Sequence, residues 1–354
     1  MHLIKVSFTY CYACGSMNIV FVHFGPTLPK HLCLNLIQAT HSFDSHQIFL
    51  ISDSKHLGLP NAVRNFIVTD QSYFDEARAG LSHPADFREN FWFLALKRFL
   101  VFNLFMKEHP GPLIHFESDV LIAPDFPFEE FINLGTPFAF PFISQALGIP
   151  SILYLKDKKT ANLLCEFTLR CINQDSETTD MKILTRLKTD YPDLCTVLPS
   201  GPVNIDFYIE GTSIDFANSQ AIGLSKFKGI FDGAAIGQFL LGDDPRNNRG
   251  FRNIYFESGY SSLRAKKLGY KFSASRKFID VLIDNERIPL FAIHVHSKDS
   301  RVFNSNEFFS VIQNRINNNL GQSNREFLLS VAFAQAFKAL KRRLLRFLRR
   351  AKNG

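Results

Sequence analysis

The sequence predicts an α/β fold, with an open, mostly parallel sheet flanked by helices. The chain has 354 residues, of which 46% are apolar, so it can bury a substantial core. Short apolar runs that end in Gly, Pro, Ser or Asp alternate with longer segments of helical periodicity. Near the N-terminal end these runs follow the order strand, helix, strand, which is typical of a βαβ unit and therefore of parallel strands.

The first half of the chain follows this alternation closely. Its predicted elements are a strand at 18–25, a helix at 28–43, strands at 46–54 and 61–70, and a long helix at 86–109. The long helix ends before Pro110 and Gly111, a pair that terminates helices. This half therefore predicts parallel strands joined by helices.

The second half is less regular. Its predicted elements are strands at 113–126 and 136–142, helices at 160–174 and 178–191, a small-residue helix at 233–241 and a last strand at 290–300. Thr178 or Thr179 is the expected N-cap of the helix at 178–191, because a threonine hydroxyl accepts a hydrogen bond from the first turn. Residues 199–260 are rich in Gly, Asn, Asp and Pro.

We expect four segments along the chain. A leader or extension occupies 1–16, and one large α/β domain occupies 17–312. An Asn-rich linker at 313–324 then precedes a basic helical tail at 325–354.

The predicted tail is strongly amphipathic. Eight basic and no acidic residues lie from Lys338 onward, whereas the rest of the chain holds 32 basic against 33 acidic residues. Helices of this kind lie in a membrane interface, so we expect residues 325–352 to bind an anionic membrane surface. Packing against its own domain, a protein partner or an RNA are the alternatives for the tail. The globular part has no charge excess of the kind that nucleic-acid binding requires, and no nucleic acid is expected as partner.

Cysteine usage favours a reducing compartment. Six cysteines are scattered, with one CxxC at Cys11 and Cys14 that lacks a second pair at zinc spacing. The chain contains no Asn-x-Ser/Thr sequon. We therefore expect a cytoplasmic protein, peripheral on the inner membrane face through its tail.

The run LIHFESDVLIAPDF at 113–126 places acids within an apolar strand. Alternate strand residues share a face, so His115, Glu117 and Asp119 would line one side near the carboxyl end, where α/β sheets bind ligands. Buried carboxylates need compensating cations. Two hard oxygen ligands suit Mg²⁺ or Mn²⁺ that substrate phosphates also hold. Salt bridges to Arg or Lys of a neighbouring helix are the alternative.

This acid-x-Asp stretch after a long helix resembles the Asp-x-Asp motif of GT-A fold glycosyltransferases. The resemblance covers about residues 17–300 and implies a nucleotide-sugar donor with Mn²⁺ or Mg²⁺ as cofactor. The first acid is Glu117 here, a departure from the common pattern, and Asp119 is implied to be the firmer metal ligand. Arg98 resembles the basic residue that precedes the motif in glycogenin-like enzymes and helps to hold the nucleotide or the motif.

A late HVHSK at 294–298 is the second element of the resemblance. Metal-dependent GT-A enzymes often complete the coordination with a late histidine. His294 and His296 share a face, and His296 is favoured as ligand because it lies nearer the predicted strand end. The resemblance implies that Lys298 meets the diphosphate. A purely structural histidine is the alternative.

Two strand ends resemble the positions that cradle the nucleotide in this family. The first strand ends at Phe24 and Gly25, and Asp53 follows the second strand. The resemblance implies that these three residues contact the base and ribose. Such positions are general ligand sites in α/β sheets.

Glycosyl transfer by an inverting enzyme also needs a carboxylate base. Asp232, before the small-residue helix, and Asp180, at the start of the helix near 180–190, are the candidates. Helix capping is the alternative for each. Without a base, retention of configuration remains, and the sequence leaves that choice open.

The sequence thus favours transfer of a sugar from a nucleotide-sugar donor to a hydroxyl acceptor on a glycan or a lipid-linked or surface polysaccharide. A nucleotidyltransferase is the first alternative, but HFGPTLPK at 23–30 is a poor phosphate loop. A non-catalytic membrane-associated binding or scaffold protein is the second.

Overall fold

The computed structural model of the protein describes residues 16–43, 46–84, 90–144, 147–201, 214–242, 244, 271–274, 278–283 and 286–321. The predicted amphipathic tail at 325–354 and nearly all of the leader at 1–16 lie outside these residues. Within the described part of the chain, no helix is both long enough and apolar enough to cross a bilayer.

The main sheet contains most of the strands of the first 200 residues. In chain order the strands up to that point are β1 (Asn18–His23), β2 (Gln47–Ser52), β3 (Val63–Ile67), β4 (Leu113–Phe116), β5 (Val120–Ile122), β6 (Phe138–Ser144), β7 (Leu147–Gly148), β8 (Ile152–Leu155) and β9 (Cys195–Leu198). All but β5 belong to this sheet, in the order β3-β2-β1-β4-β8-β6-β7, with β9 paired to β6.

The half of this sheet that was predicted from the regular first half of the chain is parallel. Strands β3, β2, β1 and β4 pair in parallel, with Asn18 opposite both Gln47 and Leu113. The predicted open, mostly parallel sheet flanked by helices is confirmed. The chain runs outward from β1 to β3 and then returns to place β4 on the other side of β1. Such a reversal of strand order opens a crevice beyond the carboxyl ends of β1 and β4.

A second, smaller sheet receives the chain after the Glu-Ser-Asp motif. It contains β5, β10 (Ile230–Phe231), β11 (Lys271–Ala274), β12 (Ile279–Ile283) and β13 (Glu286–His294). Its order is β10-β13-β12-β11, and β5 pairs antiparallel with β13. The predicted single strand at 113–126 is therefore wrong, because the chain leaves one sheet after Phe116 and enters the other at Val120.

Helices cover both faces of the main sheet and also pack against the second sheet. They are α1 (Lys30–Ser42), α2 (Asp75–Gly80), α3 (Phe91–Glu108), α4 (Phe128–Ile132), α5 (Lys158–Gln174), α6 (Asp180–Asp190), α7 (Ile214–Phe227), α8 (Ala235–Leu241) and α9 (Ser305–Gly321). Thr179 caps α6, since its side chain accepts from the Lys182 N–H at 3.2 Å.

Helix α9 runs through residues 313–321, which the sequence analysis assigned to a linker. Phe308, Ile312 and Ile316 recur every four residues along it and are buried against the second sheet. This apolar stripe stabilises a helix in spite of the surrounding asparagines. The Asn-rich segment is thus helical as far as Gly321.

The core divides along the two faces of the main sheet. Alternate residues of β1 enter different clusters, with Val20 and Val22 on one face and Ile19 and Phe21 on the other. Most of the largest fully buried side chains are phenylalanines. The packed strands hold the carboxyl end of β4, and hence the acidic motif, in a fixed position.

Candidate metal and nucleotide site

The Glu-Ser-Asp motif forms the turn between the two sheets. The Glu117 N–H donates to the Ser151 carbonyl, and the Val120 N–H donates to the Glu117 carbonyl, both at 3.0 Å. His115 does not join the two acids, because it lies inside β4. Its Nδ1 donates to the Val20 carbonyl at 3.0 Å, and burial lowers its pKa to about 3. The predicted alignment of three ionisable side chains on one strand face is wrong.

Two carboxylates and one imidazole converge at this turn. His294 Nε2 lies 3.3 Å from Asp119 Oδ1 and 3.5 Å from Glu117 Oε2. One ligand atom from each of the three residues lies within 4.8 Å of the other two. His294 is the last residue of β13, which places it directly opposite the turn.

This set of donors fits a divalent cation. Neighbouring ligands in an octahedral shell with bonds of ~2.1 Å are about 3 Å apart, close to the observed spacing of the imidazole and carboxylate atoms. Oxygen ligands together with an imidazole suit Mn²⁺, and oxygen ligands suit Mg²⁺. Glu117, Asp119 and His294 are therefore the residues that would hold the metal.

The predicted ligand His296 occupies a different place. It is buried, and its ring stacks on that of His294 with centroids 4.0 Å apart. Burial, followed by the charge of His294, lowers the pKa of His296 well below its ordinary value. The structure places His294, and not His296, against the carboxylates.

The imidazole of His294 is held by residues around α8. Its Nδ1 donates to the Gly233 carbonyl at 2.8 Å, which turns Nε2 toward the carboxylates. Its backbone N–H donates to Asp232 Oδ2 at 3.0 Å. Gly237 packs so closely that an added Cβ would lie 1.8 Å from the His294 carbonyl oxygen. Hydrogen bonds of this kind to a metal ligand fix its tautomer and orientation.

The carboxylate of Asp232 accepts hydrogen bonds from several backbone N–H groups. Its Oδ1 accepts from the Ile236 N–H at 3.0 Å, and its Oδ2 accepts from the Gly237 N–H at 2.7 Å as well as from His294. Burial raises its pKa in spite of these donors. The contacts match the helix-capping alternative for this residue.

Arg98 connects the motif to α6. Its guanidinium forms an ion pair with Glu117 and a second one with Asp180, where Nη2 lies 2.6 Å from Oδ2. All three side chains are at most 17% exposed. The ion pair that the sequence analysis considered as an alternative is thus present for Glu117. Asp180 is engaged by Arg98 and by the Met181 N–H.

Lys298 lies on the open side of Asp119. Its Nζ is 2.8 Å from Asp119 Oδ2 and 3.7 Å from Asp244 Oδ2. Lys298 has a φ of 52°, in the left-handed region that non-glycine residues seldom adopt. Such backbone strain is concentrated at functional sites.

Strong charge interactions couple these groups. Burial alone would raise the pKa of Asp119, but the charges of His294 and Lys298 hold it well below its ordinary value. Burial alone would lower the pKa of His294, but Asp119 and Glu117 raise it to about 9. A cluster that stabilises a positive charge this strongly is suited to a metal cation.

The predicted nucleotide-binding residues lie at neighbouring strand ends. Asp53 Oδ1 accepts from the Gly25 N–H at 2.9 Å, which ties the loop after β1 to the end of β2. Gly25 has a φ of 125°, a conformation that requires glycine. Phe24 is half-buried, and the Lys97 ammonium lies 4.0 Å from the centroid of its ring. Three predicted residues thus share one corner of the crevice.

Sequence reasoning gave no role to Lys97, which is only 3% exposed. Its Nζ donates to Gln71 Oε1 at 2.7 Å, and burial lowers its pKa. Asn35 of α1, whose amide donates to the Ser118 and Val120 carbonyls, was also not predicted to contribute to the site. The only available signal for Asn35 was a polar residue among the apolar positions Leu32 and Leu36 of an amphipathic helix.

Several solved structures resemble the chain at low sequence identity. No family model and no curated protein matches the chain. Among solved structures, the galactosyltransferase LgtC, in complex with donor and acceptor sugar analogues, matches at 12% identity and a TM-score of 0.41, over 57% of this chain and 82% of that one. Mouse xyloside xylosyltransferase 1 matches at 11% identity and a TM-score of 0.38, over 52% of this chain and 85% of that one. The bifunctional glycosyltransferase WbbM matches at 11% identity and a TM-score of 0.38, over 61% of this chain and 45% of that one. All three are glycosyltransferases, but likeness at this level carries no argument about function, which must come from the site.

Proposed function

We propose that the protein is a glycosyltransferase that moves a sugar from a nucleotide-sugar donor to a hydroxyl acceptor with a divalent metal, Mn²⁺ or Mg²⁺. One observation carries the proposal. Glu117, Asp119 and His294 converge within 4.8 Å at the carboxyl end of β4, where the strand order reverses. Ligands of open α/β sheets bind at this place.

The residues around the cluster have complementary roles in this proposal. A bound metal would stabilise the charge of the departing diphosphate. Lys298 contributes a second positive charge beside Asp119, and Arg98 holds Glu117 in place. The corner formed by Phe24, Gly25 and Asp53 receives the base and ribose.

Asp180 and Asp232 support the site through other residues. Asp180 accepts from Arg98 and thus orients the guanidinium that holds Glu117. Asp232 fixes the backbone of His294. Because protein donors engage both carboxylates, we assign them positioning roles in place of the role of general base.

Calorimetric titration tests this function. UDP and GDP are titrated into the protein with Mn²⁺ and then with EDTA, for wild type and Asp119→Asn. We expect one nucleotide to bind with metal, to lose affinity at least tenfold in EDTA, and to bind weakly to the variant. A circular dichroism melt checks that the variant is folded.

The alternatives give different results. A nucleotidyltransferase would bind a nucleoside triphosphate in preference to the diphosphates. A scaffold protein would bind no nucleotide with or without metal. A buried ion-pair cluster without a metal role would make Asp119→Asn unstable and leave wild type indifferent to EDTA.

We also propose that the acceptor is a glycan or lipid-linked saccharide and that residues 325–352 hold the enzyme at the anionic inner membrane face. The observation behind this is the run of basic residues on an amphipathic pattern. Cosedimentation with neutral and anionic vesicles, for the full chain and for a chain lacking 325–354, tests it. Equal binding of both chains to anionic vesicles would exclude the tail as the anchor.

A further inference from the structure

Helix α1 reaches the metal turn through one buried amide. The Asn35 side chain is 1% exposed, and its Nδ2 lies 2.8 Å from the Val120 carbonyl oxygen and 3.3 Å from the Ser118 carbonyl oxygen. Both neighbours are acceptors, so the amide must present its NH₂ group to them. A single side chain thus binds the backbone on both sides of Asp119.

The remaining carbonyl of the turn is held from the opposite direction. The Val295 N–H donates to the Asp119 carbonyl at 2.7 Å. Three successive carbonyls, those of Ser118, Asp119 and Val120, are therefore satisfied by two elements, and α1 satisfies two of the three. Without the Asn35 amide, the Ser118 and Val120 carbonyls would lose the donor that binds both of them.

The position of Asn35 on α1 supports a dedicated contact. His31 lies one turn earlier on the same helix face, and its Nε2 is 3.4 Å from Ser118 Oγ. The core face of the helix is otherwise apolar, with Leu32, Leu36 and Ala39 buried. A buried amide costs stability unless it is hydrogen-bonded, so its two carbonyl partners account for its presence there.

We infer that Asn35 is a positioning residue that sets the metal affinity of the site by fixing the backbone on either side of Asp119. This inference rests on the proposed metal-dependent function. The Asn35 amide donates to backbone carbonyls of the turn, so it acts on the ligands through the turn. The contribution of such an outer residue is about 10- to 100-fold in metal affinity.

The test measures Mn²⁺ affinity directly, by electron paramagnetic resonance of free Mn²⁺ in the absence of nucleotide. The variants are Asn35→Leu, which removes the donors at similar volume, and Asn35→Asp, which turns a carboxylate toward two carbonyls. We expect the dissociation constant for Mn²⁺ to rise at least tenfold in both.

Asn103→Leu is the matched control. Asn103 is also a buried helix asparagine, 6% exposed, and its Nδ2 donates to the Tyr73 hydroxyl at 3.2 Å and to Asn162 at 3.4 Å. Its removal lowers stability but should leave Mn²⁺ affinity within twofold of wild type. If an Asn35 variant is too unstable for titration at 25 °C, its gain in melting temperature with saturating Mn²⁺, compared with that of wild type, gives the same readout.

The outcomes separate the inference from the proposed function. Wild-type affinity for Mn²⁺ in Asn35→Leu overturns the inference and leaves the function intact. An equal loss of affinity in Asn103→Leu also overturns it, because the effect would then be general destabilisation. Failure of the wild-type chain itself to bind Mn²⁺, with UDP or GDP present as well as without them, overturns the proposed function.

Discussion

Substitution of Gly237 by alanine tests how tightly the residues around α8 hold His294. The new Cβ would lie 1.8 Å from the His294 carbonyl oxygen, whereas Cβ contacts under 3.0 Å are essentially never seen. Either α8 or the end of β13 must therefore move by at least about 1.2 Å, taking the difference of these distances. Metal-ligand distances tolerate deviations of about 0.2 Å. The displacement is several times larger than that tolerance.

We therefore expect Gly237→Ala to weaken Mn²⁺ binding about 10- to 100-fold. Overpacking should also cost about 1–3 kcal/mol of stability, partly offset by the better helix propensity of alanine. Mn²⁺ titration and urea unfolding measure the two effects. Gly135→Ala is the control, because nothing lies within 4 Å of its added Cβ and its φ is not positive. A Gly237→Ala protein that binds Mn²⁺ like wild type and unfolds at higher urea would refute the reasoning.

Substitutions at three further residues test other contacts of the fold. Arg98→Ala leaves the carboxylates of Glu117 and Asp180 without their shared partner and should cost about 3–5 kcal/mol in urea unfolding. Arg98→Lys should recover only part of this stability, since an ammonium cannot pair with both carboxylates as the guanidinium does. Full recovery would show that charge alone matters. His115 has a pKa of about 3 in the folded protein, below the unfolded value of about 6.5, so the unfolded chain takes up the proton first as pH falls. Between pH 7.5 and pH 5 the free energy of unfolding of wild type should fall by about 2 kcal/mol more than that of His115→Leu. Equal falls in both proteins would contradict the low pKa of His115. Asp157 caps α5 by accepting from the Thr160 N–H at 2.9 Å, so Asp157→Ala should cost about 1 kcal/mol and Asp157→Asn much less; thermal melts that show no difference would exclude the cap.

The parallel half of the sheet could be predicted because its strands are continuous apolar runs. Residues 19–22 and 48–51 contain no polar residue, and turn residues follow each of these runs. The run at 113–126 is also mainly apolar, but the short acidic turn within it sends the chain into another sheet. Local periodicity does not reveal such a change, because it depends on the distant strand β13 that pairs with β5.

The candidate site could be predicted in composition but not in detail. His296 was preferred because it lies nearer the end of the predicted strand at 290–300, but β13 ends at His294, six residues earlier. Helix α9 was not predicted, because its asparagines obscured the helical spacing of Phe308, Ile312 and Ile316. Asn35 and Gly237 act through contacts with residues far away in sequence, which no local pattern encodes.

Anomalous diffraction at the manganese absorption edge, from crystals grown with Mn²⁺ and UDP or GDP, tests the central claim most directly. The account predicts one strong peak bound by Glu117, Asp119 and His294, with the diphosphate on its open side next to Lys298. A peak bound by His296, or at a place remote from the carboxyl end of β4, would contradict the ligand set. Absence of any peak in crystals soaked at saturating Mn²⁺ and nucleotide would contradict the metal-dependent function itself.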